Sequence, residues 1–270
     1  PVQKWDRTFR AELISLMDSL TIQAMELNPD FILWPESALP TYLRTSPIRA
    51  TIQSYVSENN IPLLAGTIDK AVDENGKHYY NGSILLNADG SYKMYHKIHL
   101  VPFAEYIPLS NTFPQLKDLN FGQGNFDNGE KYTIFNVHNK RFGNMICYES
   151  SFPRIAKEFV DSGAEFLTIQ TNDAWSGDAP GVYQHFAVAQ IRAVENRVPV
   201  VRSANTGISG IISPSGKVEQ KLAFYDQGII FGSLTFMADK KHYPGGDVFA
   251  LLCIFFGLSM VVWEWTRKNS

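Results

Sequence analysis

Cysteine is scarce: two residues in 270 cannot build a disulfide framework, so burial has to hold the fold together. No charge sign dominates either. Lys and Arg total 24 against 27 Asp and Glu, a formal net charge of -3, and the pI is near 6.1. That balance gives no reason to expect a nucleic-acid partner. No linker rich in Pro, Gly or Ser divides the chain, and no internal repeat is visible. A hydrophobic content of 44% excludes a disordered chain, and 270 residues suffice for one large core or two small ones. There is no Gly-rich loop between a strand and a helix, so Gly207, Gly210 and Gly216 suit turns and not a phosphate cradle. Cys147 and the scattered His residues lack metal-ligand spacing, so neither a metal nor another cofactor is expected. The chain starts at Pro1 with no signal peptide before it, as expected of a processed chain or a piece of a longer protein.

Long apolar runs are confined to one place. Residues 248–263 read VFALLCIFFGLSMVVW, with no charge. A membrane-spanning helix needs roughly 20 apolar residues, with about 17 as the lower edge. Trp263 and Trp265 resemble an interfacial aromatic belt, and Arg267 and Lys268 a cytoplasmic positive flank. The alternative is a buried core helix. With Phe, Leu and Val on every face it would need complete enclosure. Cys253 reads as a small hydrophobe within this run. If the run spans, the positive-inside rule puts Ser270 in the cytoplasm and the bulk of the chain outside. The mean hydropathy of -0.15 then averages a water-soluble domain over 1–246 with an apolar helix and short tail over 247–270.

Elsewhere the patterning alternates between helix and strand. Trp5, Phe9, Leu13, Leu16, Leu20, Ala24 and Leu27 recur at helical spacing. Residues 31–34 are a short buried strand closed by Pro35. Ser46 as N-cap and Pro47 at the first position open a helix whose apolar face is Ile48, Ile52, Tyr55 and Val56. A strand follows over 61–68, then a hairpin of 83–86 with 92–95 around Asn87-Ala88-Asp89-Gly90. Residues 132–137 and 141–147 form a second strand pair. Helices are predicted at 155–162 and 183–196, and strands at 166–170, 199–203, 208–213 and 228–236. Both sheet faces need cover, so a layered α/β sandwich is the natural solution. Residues 110–130 have little periodicity and are long for a loop, as lids often are.

Three side chains stand at strand ends. Cys147 closes a strand, where a thiol can be exposed on a rigid backbone, although a free Cys is usually a small buried hydrophobe. Glu36 follows FILWP and is either a helix cap or a site residue. Lys97 precedes an apolar stretch, which is unusual for a solvated surface, and Glu105 lies eight residues on. A thiol needs a base to become a thiolate, a carboxylate raised by burial can be that base, and the oxyanion at an attacked carbonyl needs a cation or N–H donors. Lys97 supplies the cation and the Tyr148 N–H a second donor. No His is required, and His96 and His99 read as solvated bystanders.

The segments WPES at 34–37, YHKIHLVPFAEYIP at 95–108, CYES at 147–150 and TNDAWSGDAPGVYQH at 171–185 resemble the nitrilase superfamily. More narrowly, over about 30–216, they are similar to the apolipoprotein N-acyltransferases of the bacterial inner membrane. The resemblance implies an α-β-β-α sandwich followed by one C-terminal transmembrane helix. It implies Glu36 as base, Lys97 as oxyanion stabiliser and Cys147 as nucleophile, with Glu105, Tyr148 and Glu149 supporting the site. Trp34, Asn172 and Trp175 are expected in the substrate pocket; Ser176 stands where the family has an aromatic residue. The implied donor is a phospholipid of phosphatidylethanolamine type, and the acceptor the amine of an S-diacylglyceryl-cysteine apolipoprotein. The catalytic domain would lie on the periplasmic side of the inner membrane. The family's N-terminal membrane helices are not in this sequence, so it corresponds to roughly half the usual protein. Two other readings stay open: a superfamily amidohydrolase acting on a small amide, and a membrane-tethered binding module without activity.

Overall fold

The computed structural model describes residues 7–39, 41–74, 76–109, 115, 125–176, 179–237 and 246–269. The lid expected over 110–130 lies mostly outside the described residues. The helices are α1 (Arg7–Glu26), α2 (Ile48–Asn59), α3 (Pro153–Asp161), α4 (Ala179–Asn196) and α5 (Gly246–Asn269). The strands are β1 (Ile32–Leu33), β2 (Leu63–Asp73), β3 (Gly76–Leu86), β4 (Tyr92–His96), β5 (Ile134–Val137), β6 (Lys140–Ile146), β7 (Phe166–Asn172), β8 (Val200–Asn205), β9 (Ser209–Ile212) and β10 (Val218–Leu222).

They form two sheets, one ordered β1-β2-β3-β4 and the other β10-β9-β8-β7-β6-β5. In the second, β6, β7 and β8 are parallel, because α3 and α4 carry the chain back between them. Strand alternation sorts the first sheet's side chains. Leu64 and Leu85 join the cluster between the sheets with Phe142 and Ile146. Leu63, Ala65, Ile84 and Leu86 instead join Met17, Ala24, Ile52 and Val56 of α1 and α2. The second sheet carries Ile155 and Phe159 of α3 and Val182, Phe186 and Ala189 of α4. The layers are therefore α-β-β-α, as the resemblance implied.

A polar bolt crosses the middle. Asn144 Nδ2 donates to Ser83 Oγ (2.8 Å) and Gln170 Oε1 (2.9 Å), and Ser83 also bonds Gln170. Gln170 Nε2 donates to the Trp34 carbonyl at 2.7 Å. All four side-chain groups of this bolt, Thr168 included, are fully buried and hydrogen-bonded, as buried polar groups must be.

Three local expectations change. The β2–β3 hairpin runs far beyond the predicted strands, pairing Leu63 with Leu86 through to Asp73 with Gly76; its outer half is polar and half-exposed, so it carries no apolar signal. Residues 228–236 form no strand. Ile229 and Leu234 pack on the two cores as side chains only, and the last strand is β10, whose polar residues pair with β9. Finally, α2 starts at Ile48, one residue late, though Ser46 Oγ still accepts from the Ile48 N–H at 3.3 Å.

α5 stands apart. Within Val248–Lys268 its most apolar 18 residues have a mean hydropathy of 2.0, and none of them is buried. It is not the enclosed core helix, and it is long and apolar enough to cross a membrane. The Ser259 hydroxyl donates to the Phe255 carbonyl at 2.7 Å, which leaves no orphan donor on an apolar surface.

Candidate active site

Glu36 sits in the turn after β1. Gly66 on β2 lets that turn approach: a Cβ there would lie 2.3 Å from the Pro35 carbonyl oxygen and 2.7 Å from the Glu36 Cα. The turn is tied by the Ala38 N–H to the Gly66 carbonyl, 3.2 Å. Lys97 follows β4, its N–H on the Asn81 carbonyl at 2.8 Å. Glu105 belongs to a tight turn closed by its own N–H on the Val101 carbonyl, and its Oε2 accepts from the Val101 N–H at 2.8 Å.

These three meet. Lys97 Nζ lies 2.8 Å from Glu105 Oε2 and 3.8 Å from Glu36 Oε1. Asn81 Nδ2 donates to both carboxylates at 2.8 Å. All four residues are buried. Burial alone lowers the Lys97 pKa, but the Glu36 and Glu105 carboxylates outweigh it and raise the value, so the ammonium is retained.

Cys147 completes the group. It directly follows β6 and opens a short 3-10 turn, Cys147–Ser151, with φ of 50°. A non-glycine residue in the left-handed region costs of order 1–3 kcal/mol. Burial pushes the thiol up to about 12, the Glu36 charge adds to this, and Lys97 and a Thr171 hydrogen bond oppose it. At neutral pH the sulfur therefore holds its proton, and a base is needed to remove it.

Glu149 has another place. Its Oε1 accepts from Tyr95 Oη (2.8 Å) and the Ile98 and His99 N–H groups (2.7 and 3.1 Å), and its Oε2 from the Ile146 N–H (2.8 Å). It braces the backbone just after Lys97 and just before Cys147. Tyr148 stacks edge-on against Phe152, 4.9 Å between centroids, and Phe152 in turn meets His99. His96 is no bystander: Nε2 lies 3.0 Å from Asp69 Oδ2, and its ring stacks on Tyr80 at 4.1 Å. The Trp34 indole is packed in the core under α1, donating to Thr21 Oγ1 at 3.0 Å. Only its carbonyl, held by Gln170, bears on the Glu36 turn. Asn172 ends β7 and accepts from the Ala174 N–H at 3.3 Å. Trp175 lies in the following 3-10 turn; its side chain is outside the described residues.

A second network lies behind the thiol. Asp173 Oδ1 is 2.8 Å from His185 Nδ1 and accepts from Thr171 Oγ1 at 2.9 Å, while Oδ2 accepts from Arg202 Nη2 at 2.7 Å. His185 Nε2 faces Ser150 Oγ (3.0 Å) and the Cys147 carbonyl (3.2 Å). Burial raises the Asp173 pKa, but His185, Arg202 and Thr171 together hold it below its ordinary value. Cys147, Asp173 and His185 also have donor atoms within 4.8 Å of one another. That spacing would suit a metal ion, but both ring nitrogens and both Asp173 oxygens already have protein partners, so the geometry is that of a hydrogen-bond network. Sequence reading passed over Asn81, Arg202 and this use of His185. Asn81 sits mid-strand with no local signal, and Arg202 becomes a site residue only when β8 lies beside β7. A cavity of about 760 Å³ between α1 and the 225–236 segment is lined by none of Glu36, Lys97, Glu105 or Cys147.

The chain has relatives among known proteins. Residues 4–237 match the family described as carbon-nitrogen hydrolase. An apolipoprotein N-acyltransferase of Geobacter metallireducens is 33% identical over 98% of this chain and 52% of its own length. One from Chlorobaculum tepidum is 35% identical over 85% of this chain and 48% of its own length. The chain thus spans about half the length of these curated relatives. Among solved structures, a carbon-nitrogen hydrolase from Helicobacter pylori G27 superposes with a TM-score of 0.61 at 16% identity, covering 79% of this chain and 80% of that one. Saccharomyces cerevisiae Nit3, a nitrilase-superfamily member, gives 0.61 at 20% identity, covering 81% of this chain and 82% of that one. Those two likenesses carry the fold alone; by the sequence match over residues 4–237 the chain belongs to the carbon-nitrogen hydrolase family.

Proposed function

We propose that this chain is the catalytic part of an apolipoprotein N-acyltransferase, with Glu36, Lys97 and Cys147 as its triad. The observation that carries the reading is that Glu36, Lys97 and Cys147 are all buried, with Lys97 Nζ 3.8 Å from Glu36 Oε1. Residues 1–246 are the catalytic domain and 247–270 the membrane segment, with the domain on the periplasmic face of the inner membrane. The exposed apolar α5 supports this, as do the names of the relatives.

The chemistry runs in two halves. Glu36 takes the Cys147 proton as Sγ attacks the ester carbonyl of a phospholipid of phosphatidylethanolamine type. Lys97 Nζ faces the oxyanion, with the Tyr148 N–H as second donor. The ester C–O bond breaks, Glu36 returns the proton to the leaving alkoxide, and a thioester remains on Cys147. The α-amine of an S-diacylglyceryl-cysteine then attacks the thioester carbon, Glu36 accepts its proton, and the Cys147 thiolate leaves and is reprotonated. Glu105 neutralises Lys97 and holds it in place, and Asn172 and Trp175 shape the acyl pocket.

Mass spectrometry after incubation with labelled phospholipid tests this. The expected result is an acyl adduct on Cys147 that Cys147→Ala lacks and that an amine acceptor discharges. No adduct on Cys147, together with turnover of soluble amides, would instead support the second reading, a family amidohydrolase that uses water as acceptor.

A further inference from the structure

Cys147 holds a backbone conformation that side chains disfavour, with φ of 50°. A return to the ordinary region would swing Sγ away from Glu36 and Lys97, which belong to the other sheet. Something must therefore hold the main chain at this residue. Two groups converge on the Cys147 carbonyl. The Ser150 hydroxyl donates to it at 2.8 Å, but Ser150 belongs to the same 3-10 turn and can move with it. His185 Nε2, at 3.2 Å, comes from α4 and ties the carbonyl to the body of the fold.

His185 is itself aimed. Asp173 and the Cys147 carbonyl both only accept, so both ring nitrogens carry a hydrogen: Nδ1–H donates to Asp173 and Nε2–H to the Cys147 carbonyl and Ser150 Oγ, with Arg202 Nη2 3.2 Å from Nδ1. Asp173 is fixed by Arg202 at 2.7 Å, and Arg202 Nε is anchored on the Ile208 carbonyl at 3.1 Å. The imidazole is largely buried, at 10% side-chain exposure, and Arg202 is fully so. Close packing enforces the arrangement, since a Cβ at Gly207 would lie 2.4 Å from Asp173 Oδ2.

We propose that His185 is the positioning residue of the nucleophile. Held by Asp173 and Arg202, it clamps the Cys147 carbonyl and keeps the strained backbone that presents Sγ to Glu36 and Lys97. The inference rests on the reading of Cys147 as nucleophile. His185 takes no proton from the substrate; that role belongs to Glu36.

The test is the iodoacetamide rate constant of Cys147 in the folded 270-residue chain, in a Cys253→Ser background so that one thiol reports. A Gln side chain places its amide nitrogen where Nε2 stood, and an Asn places its own near Nδ1. His185→Asn is expected to lower the rate by about 10- to 100-fold, the cost of a misplacement near 1 Å. His185→Gln should restore it to within a few-fold, with thermal melts alike for the two. Asp173→Asn, which keeps the size but releases His185, should lower the rate as well and supplies the comparison if His185→Asn does not fold. Equal rates in the parent, His185→Asn and Asp173→Asn, with Glu36→Gln slow, would overturn the positioning role alone. A parent rate unaffected by Glu36→Gln would overturn the nucleophile reading and this inference with it.

Discussion

Two side chains hold opposite ionisation tasks a few ångströms apart. Lys97 is fully buried yet keeps its charge, because Glu105 at 2.8 Å and Glu36 at 3.8 Å outweigh the cost of desolvation. Replacing it with Ala removes the charge proposed to face the oxyanion and leaves two carboxylates together. Acylation of Cys147 should slow by about 10²–10³-fold, the usual cost of an oxyanion donor, read as the burst rate of thioester formation. An effect below 10-fold would make Lys97 a structural counter-ion. Cys147 has the reverse problem, its pKa pushed up to about 12 by burial first and Glu36 second. In the unfolded chain a thiol titrates near 8.5. The folded state therefore binds the proton more tightly, which adds stability below about pH 8.5 that is lost as pH climbs toward 12. Cys147→Ala should flatten the alkaline limb of a stability-versus-pH curve measured by urea unfolding; an unchanged limb would refute the raised value.

At the scale of elements, the site is built where strands end and turns begin. β1, β4 and β6 each release one of the three side chains just past their last residue, as open α/β sheets commonly do. The Glu36 turn depends on contact with β2. Gly66→Ala would place a methyl 2.3 Å from the Pro35 carbonyl, and backbone on both sides prevents relief by side-chain rotation. Overpacking of this kind costs about 1–3 kcal/mol, expected as a lower urea midpoint together with a loss of acylation, since the Glu36 turn must shift. Activity intact at reduced stability would show that the turn adapts. These strand ends were legible from chain order and polarity. The β2–β3 extension and β10 were not, because half-exposed polar strands lack the alternation that marks a buried face. The reverse error at 228–236 has the same root: an apolar run packs on the cores as side chains without entering a ladder.

For the molecule as a whole, α5 and the sandwich are separable in energy. No part of the stretch Val248–Lys268 is buried, so its removal deletes no core contact. A chain ending before Gly246 should melt within about 2 °C of the parent in detergent, and only the parent should co-sediment with phospholipid vesicles. A large drop in the melting temperature would mean that the helix packs on the domain. Within the sandwich, the bolt through Ser83, Asn144 and Gln170 joins both sheets to the Glu36 turn.

The order of most strands and helices, the apolar tail and Glu36, Lys97 and Cys147 as candidate site residues were legible in the sequence alone, because each is written in local periodicity or in a short run of residues. Tertiary structure decided the rest. Asn81 joins Glu36 to Glu105 only because β3 lies beside the Glu36 turn, and Glu149 braces two segments that are 50 residues apart in chain. Trp34 became core and His96 became a partner of Asp69 for the same reason. The His185–Asp173–Arg202 network that meets the Cys147 carbonyl forms only because α4, the turn after β7 and β8 come together. A hydrogen bond between residues far apart in the chain leaves no local trace, so only the folded chain reveals it.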